Sequence, residues 1–170
     1  MIFLSLGSNL SSKLRDRFDN LLEGISLIQS IGIILDKKSS FYETPSYPDK
    51  NNPKFINIMI SVKSSFSPGQ LMSELIDIEK KLGRKRRKKN EPRTCDIDII
   101  DYKSMIINTK HKNKKLIIPH QKLESRNFVL FPLEEIAPNW QHPKTKEFIS
   151  TIISKLSAED RKSVLKIKKY

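Results

Sequence analysis

Apolar residues recur along the chain with two spacings, and each change of spacing marks a change of element. Ile2 to Leu6 is an apolar, β-compatible run apart from Ser5, ended by Gly7-Ser8-Asn9, which reads as a strand and then a turn. Leu14, Phe18, Leu21, Leu22, Ile25 and Ile28 follow at helical spacing, with Ser11 or Ser12 as the N-cap. Ile33 to Thr44 reads as a strand, closed by Pro45 and a loop holding Pro48, Asp49, Asn51, Asn52 and Pro53. Phe55 to Val62 is a mostly buried strand. Ser67-Pro68 opens a second helix with Leu71, Leu75, Ile78 and Leu82 on one stripe and Gly83 as its stop. Cys95 to Tyr102 is a third long strand, and Met105 to Ile107 and Leu116 to Ile118 flank a Lys-rich turn at 110–115. Pro119-His120 begins a loop, and Phe128 to Ile136 and Phe148 to Leu156 read as helical pieces. The order predicts an α+β fold with a ferredoxin-like βαββαβ core, an antiparallel central sheet flanked by helices. One domain is expected over 1–160, followed by a basic C-terminal tail, 161–170, that frays.

The composition narrows the class. A chain of 170 residues with a single cysteine has no intramolecular disulfide and no Cys-cluster zinc site, and needs neither to build a core. No run approaches the length of a membrane-spanning helix, and the start lacks the basic n-region of a signal peptide, so a cytoplasmic protein is expected. The net charge of +13 suggests a polyanion partner, but 24 of the 32 basic residues are lysines, the ordinary solvated kind. Arg84 to Arg93 stands apart, with seven basic residues in ten. A ferredoxin-like sheet with a basic surface also describes RNA-binding modules, which is the alternative reading. Their aromatic sheet motif is absent from the sequence.

The sharpest chemistry lies in Arg93-Thr94-Cys95-Asp96-Ile97-Asp98-Ile99. On a strand Asp96 and Asp98 point one way and Cys95, Ile97 and Ile99 the other. Two carboxylates side by side on an apolar strand repel unless a cation lies between them, and magnesium suits such oxygen ligands together with substrate phosphates. Cys95, turned toward apolar neighbours, is an inert buried thiol. Cations on the loop just upstream complete a phosphoryl-transfer set, with Arg84, Arg86 and Arg93 able to grip phosphate bidentately. No P-loop occurs, and Gly7-Ser8-Asn9 is a weak candidate phosphate cradle. His120 either contacts phosphate or closes its turn, whereas His111 and His142 look like surface residues. Phe55, Asn57 and Phe128 are groups that sandwich and read a flat heterocycle, although core packing explains the phenylalanines equally well.

Four segments decide between these readings. They are Leu6 to Leu10; Ser40 to Pro45 with Phe55-Ile56-Asn57; Glu79 to Gly83 with Pro92 to Ile99; and Ile118-Pro119-His120 with Arg126, Phe128 and Pro132-Leu133. In this order they resemble the 6-hydroxymethyl-7,8-dihydropterin pyrophosphokinase family across roughly residues 1–140. The resemblance implies a monomeric enzyme that transfers diphosphate from ATP to a pterin alcohol, with two magnesium ions and no nucleic-acid or membrane partner. It implies that Asp96 and Asp98 hold the ions and border the pterin pocket, which Thr44, Pro45, Phe55, Asn57 and Phe128 form. Glu79, Arg84, Arg93, Ile99, Lys115, His120 and Arg126 would contact ATP, and Arg86 would act from the loop. The sequence departs from the enterobacterial pattern in three places: a loop one residue shorter between Gly83 and Arg93, Lys89-Asn90-Glu91 in place of an aromatic lid, and Lys115 and Gln121 for an arginine and a tyrosine.

Overall fold

A computed structural model describes residues 1–47, 49–84 and 91–169. Its elements run β1 (Ile2–Ser8), α1 (Arg17–Ser30), β2 (Ile34–Lys38), β3 (Phe41–Thr44), β4 (Phe55–Lys63), α2 (Pro68–Lys81) and β5 (Asp96–Tyr102). They continue with β6 (Ile107–His111), β7 (Lys114–Ile118), a single 3₁₀ turn (Leu123–Ser125), α3 (Asn127–Ile136), α4 (Ile149–Ser154), α5 (Ala158–Lys162) and β8 (Leu165–Ile167). The main sheet has the order β5-β1-β4-β3-β8, and β2 also pairs with β4. All its pairings are antiparallel. This is the ferredoxin-like arrangement the periodicity predicts, with β6 and β7 as a separate hairpin.

Alternation along the strands builds two cores. Ile2, Leu4, Leu6, Ile56, Ile58 and Ile60 pack on one side with Leu21, Ile25, Leu71, Leu75 and Ile78 of α1 and α2. Phe3, Met59 and Ile100 turn to the other side and meet Val129, Leu130, Leu133, Ile149 and Ile152 of α3 and α4. The central strands are therefore buried on both faces, which is why β1 and β4 are mostly apolar, with Ser5, Asn57 and Ser61 among the exceptions. α2 begins with a complete capping box. Gln70 N–H bonds to the Ser67 hydroxyl while the Gln70 side chain accepts from Ser67 N–H at 2.9 Å. Gly83, at φ 85°, takes the left-handed conformation that stops the helix.

Several expectations are corrected. α1 starts at Arg17, not near Ser12, because the Ser12 hydroxyl caps a local turn (Arg15 N–H at 3.1 Å). Asp16 then caps the helix through Asp19 N–H at 2.8 Å. The strand expected over Ile33–Thr44 is broken between Lys38 and Phe41, so that β4 is served by β2 at one end and β3 at the other. Gly7 and Ser8 belong to β1 rather than to a turn, which removes the phosphate cradle. The segment 161–170 was expected to fray, yet β8 pairs with β3 through Tyr42 and Lys166. His142 is buried, at 7% exposure, instead of lying on the surface. Cys95 is buried as expected, and burial pushes its thiol well above the ordinary range.

Candidate active site

Strand register sets the site. Gly7 of β1 pairs with Asn57 of β4 on one side and Asp96 of β5 on the other, and Ser5 pairs likewise with Met59 and Asp98. Pairing brings Asn57, Asp96 and Asp98 onto the face that carries α3, while Ile97 and Ile99 turn into the core under α1 and α2. The backbone past Gly83 then turns back: Arg84 N–H bonds to Glu79 O at 3.0 Å, which aims the Arg84 side chain at β5.

Arginines meet both carboxylates. Arg84 Nη1 bonds to Asp96 Oδ1 and to Glu79 Oε1. Arg93 Nη1 donates to Asp96 Oδ2 at 2.8 Å, and Arg126 Nη1 to Asp98 Oδ2 at 2.7 Å. Glu79, only 1% exposed, also accepts from Ile97 N–H at 2.8 Å, so a buried carboxylate on α2 fixes both Arg84 and the start of β5. Burial alone would raise the Asp96 carboxyl, but Arg84 and Arg93 outweigh it and hold the group below its usual range. Burial would lower the Arg84 guanidinium, and Asp96 and Glu79 reverse that too. Burial does prevail at His120, which is held below its ordinary value against the pull of Asp98. Its Nδ1 accepts from Lys122 N–H at 3.1 Å, so its Nε2 carries the ring proton.

Aromatic walls stand beside this charge. The Arg93 guanidinium lies 5.2 Å from the Phe55 ring centre and Arg126 lies 5.5 Å from that of Phe128. Asn57 Nδ2 donates to Thr44 Oγ1 at 2.9 Å, which commits the amide hydrogens to the protein and leaves Oδ1 as the acceptor for a ligand. The structure thus gathers Thr44, Phe55, Asn57, Glu79, Arg84, Arg93, Asp96, Asp98, Arg126 and Phe128 around one end of the sheet. Pro45 is exposed just beyond Thr44. Ile99 presents no side chain here, being 8% exposed within the core. Lys115 is exposed on β7 opposite Lys110. Arg86 falls outside the described residues.

Asn9 is the functional residue the sequence reading missed as an individual. Only 2% exposed, it accepts from Arg93 N–H at 2.8 Å and donates to Pro53 O at 3.1 Å, joining the Arg93 segment to the loop before Phe55. The signal was a polar residue directly after an apolar strand. Among the described residues, two side-chain atoms beside Asp96, Arg93 Nε and Thr94 Oγ1, are buried without a hydrogen-bond partner. A cavity of about 210 Å³ adjoins them, lined by Leu10, Gly83, Arg84, Glu91, Pro92, Arg93 and Thr94. Among the described residues no group of three or more His, Cys, Asp or Glu could hold a metal by itself.

Paired carboxylates among arginines, next to aromatic walls on a ferredoxin-like sheet, define a phosphoryl-transfer class of protein. Within that class the match is particular: residues 3–138 fit the family described as 7,8-dihydro-6-hydroxymethylpterin-pyrophosphokinase (HPPK), and the chain belongs to it. It is 37% identical over 142 residues to the 2-amino-4-hydroxy-6-hydroxymethyldihydropteridine pyrophosphokinase of Aquifex aeolicus, covering 84% of this chain and 83% of that one. The Synechocystis protein of the same name is 34% identical over 154 residues, covering 90% and 74%. A Pneumocystis carinii folic acid synthesis protein matches at 37% identity along 96% of this chain, which spans only 21% of that longer protein. Among solved structures, Plasmodium falciparum HPPK-DHPS wild type with SDX-DHP shares the fold. Its TM-score is 0.70 at 16% identity, over 91% of this chain and 44% of that one. No finding favours the RNA-binding alternative.

Proposed function

We propose that this chain transfers diphosphate from ATP to 6-hydroxymethyl-7,8-dihydropterin, giving AMP and the pterin diphosphate, as a cytoplasmic monomer without a nucleic-acid partner. Family membership supports the reaction. The observation that carries it at the level of residues is the Asp96–Asp98 pair, one face of one strand, set between the acceptor of Asn57 and the guanidinium groups of Arg84, Arg93 and Arg126.

Phe55 and Phe128 flank the pterin ring, and Asn57 Oδ1 accepts from its N–H edge. Thr44 keeps that amide from turning over. Arg93 Nε and Thr94 Oγ1, unpartnered among the described residues, suit an anion, since a phosphate oxygen would satisfy such donors. His120, with its proton on Nε2, is a neutral donor on the same side. The pterin hydroxyl oxygen attacks the β-phosphorus in line, and the bond from that phosphorus to the oxygen of the α-phosphate breaks to release AMP. The hydroxyl proton passes to solvent, and the arginines neutralise charge on the transferring group.

The donor set also fits magnesium. Two carboxylates at alternate positions supply hard oxygen ligands, partly exposed, and this ion takes one or two of them together with phosphates rather than an all-protein cage. Asp96 and Asp98 would hold two such ions, which supply Lewis-acid polarisation of the phosphates. An assay for AMP release from ATP, with and without the pterin alcohol, tests the reading. Pterin-dependent AMP is expected. Release indifferent to the pterin, or tight RNA binding without turnover, would overturn it.

A further inference from the structure

One buried polar cluster lies outside the reaction just described. Asp101, three residues beyond Asp98 on β5, is 1% exposed. It accepts from Trp140 Nε1 at 2.7 Å and from Ser104 N–H at 2.8 Å. Trp140 meets the His142 ring edge to face, with centres 5.9 Å apart. His142 Nδ1 accepts from Lys144 N–H at 3.2 Å and Thr145 N–H at 3.1 Å. Two donors on Nδ1 place the ring proton on Nε2. That nitrogen faces Glu124 Oε1 at 3.7 Å.

Glu124 sits in the 3₁₀ turn two residues before Arg126, whose guanidinium holds Asp98. The same segment begins at His120, tied by its N–H to Ile100 O at 3.1 Å. The polar chain therefore leaves β5 at Asp101 and returns to β5 at Asp98. Arg126 opens α3 with no side-chain cap, its backbone held by bonds to Leu123 O and from the N–H groups of Val129 and Leu130.

We propose that His142 and Glu124 are positioning residues, which hold the 120–126 segment so that His120 and Arg126 meet the nucleotide. The inference rests on the proposed reaction. At 3.7 Å the Nε2–H of the neutral imidazole faces the carboxylate oxygen at more than normal hydrogen-bond length, so the contact orients the turn without locking it. The stabilising part of the cluster is the buried Asp101–Trp140 pair. Glu124 is at the wet end, its side chain 56% exposed, and its removal leaves the fold intact.

Three variants test this by steady-state kinetics, melting temperature and amide exchange. Glu124→Ala should raise KM for ATP by about fivefold or more, leave kcat within about twofold and keep Tm near wild type. Glu124→Gln retains an acceptor oxygen and should recover most of the loss. In ligand-free protein, Glu124→Ala and His142→Ala should both speed exchange at the amides of Leu123 and Arg126. Unchanged KM in folded Glu124→Ala overturns the proposal, as does a loss that merely tracks unfolding with Gln no better than Ala. If wild-type protein releases no AMP, it is the reaction that fails, and the exchange measurement still decides the brace: unchanged exchange overturns it.

Discussion

Gly7 lies between Asn57 and Asp96, the amide proposed to read the pterin and the carboxylate proposed to face the phosphates. A Cβ there would stand 3.0 Å from Asn57 Oδ1 and 3.6 Å from the Phe55 ring. Gly7→Ala should therefore shift Asn57 at a cost of about 1–2 kcal/mol, seen as roughly tenfold weaker pterin binding in a folded protein. Titration of that variant with pterin checks this, and unchanged affinity would refute it. Asp96→Asn removes the charge that Arg84 and Arg93 share. It should lower kcat by about two to three orders of magnitude, with circular dichroism unchanged. The carboxylate pair was legible in the sequence because alternation on a strand fixes which side chains share a face. Its arginine partners were legible only as basic residues, since the turn after Gly83 decides where Arg84 points. His142 was not legible: Glu124 and Asp101 lie far from it in sequence, and only the packing of the post-α3 turn on β5 brings them together.

Besides its apolar face, α3 is tied to the edge of the sheet by one carboxylate that collects four hydrogen bonds. Glu135 accepts from Ser40 N–H at 3.1 Å, Ser40 Oγ at 2.8 Å, Tyr42 OH at 2.8 Å and Lys166 Nζ at 3.1 Å, so it binds β3 and β8 at once. Burial would raise this carboxyl, but the bonds from Tyr42, Ser40 and Lys166 outweigh it and hold it below the ordinary 4.5. A carboxyl held low stabilises the fold above its unfolded pKa, and the contribution fades as pH falls through the lower folded value. The difference in Tm between wild type and Glu135→Gln should be present at neutral pH and shrink on acidification below about 4.5. Thermal melts across that range measure it, and a difference independent of pH would contradict the assignment. Among the elements, α2 was readable to the residue because its capping box and Pro68 are local signals. The break between β2 and β3 and the pairing of β8 were not, because neither carries a Gly or Pro signal and both depend on what β4 offers along its length.

The whole molecule carries a formal charge of +13, and its site takes an anionic and a neutral substrate. Long-range attraction acts on only one of them. Raising ionic strength should lower kcat/KM for ATP steeply and leave kcat/KM for the pterin almost flat; equal slopes would contradict this. The sheet order has a further consequence, for the timing of synthesis. β1 is made early, yet it is the middle strand, and its partners lie at Phe55–Lys63 and Asp96–Tyr102. A ribosome must therefore add close to a hundred residues before the Ile2–Ser8 segment finds both neighbours. Until then its apolar side chains have no partner on one flank. The two parts of the proposed site, Asn57 with its neighbours and the Asp96–Asp98 pair, lie on the strands either side of it. No nascent fragment that stops short of β5 holds the carboxylate pair, and the proposed site is completed only later, once the segment with His120, Arg126 and Phe128 has followed β5 onto the sheet.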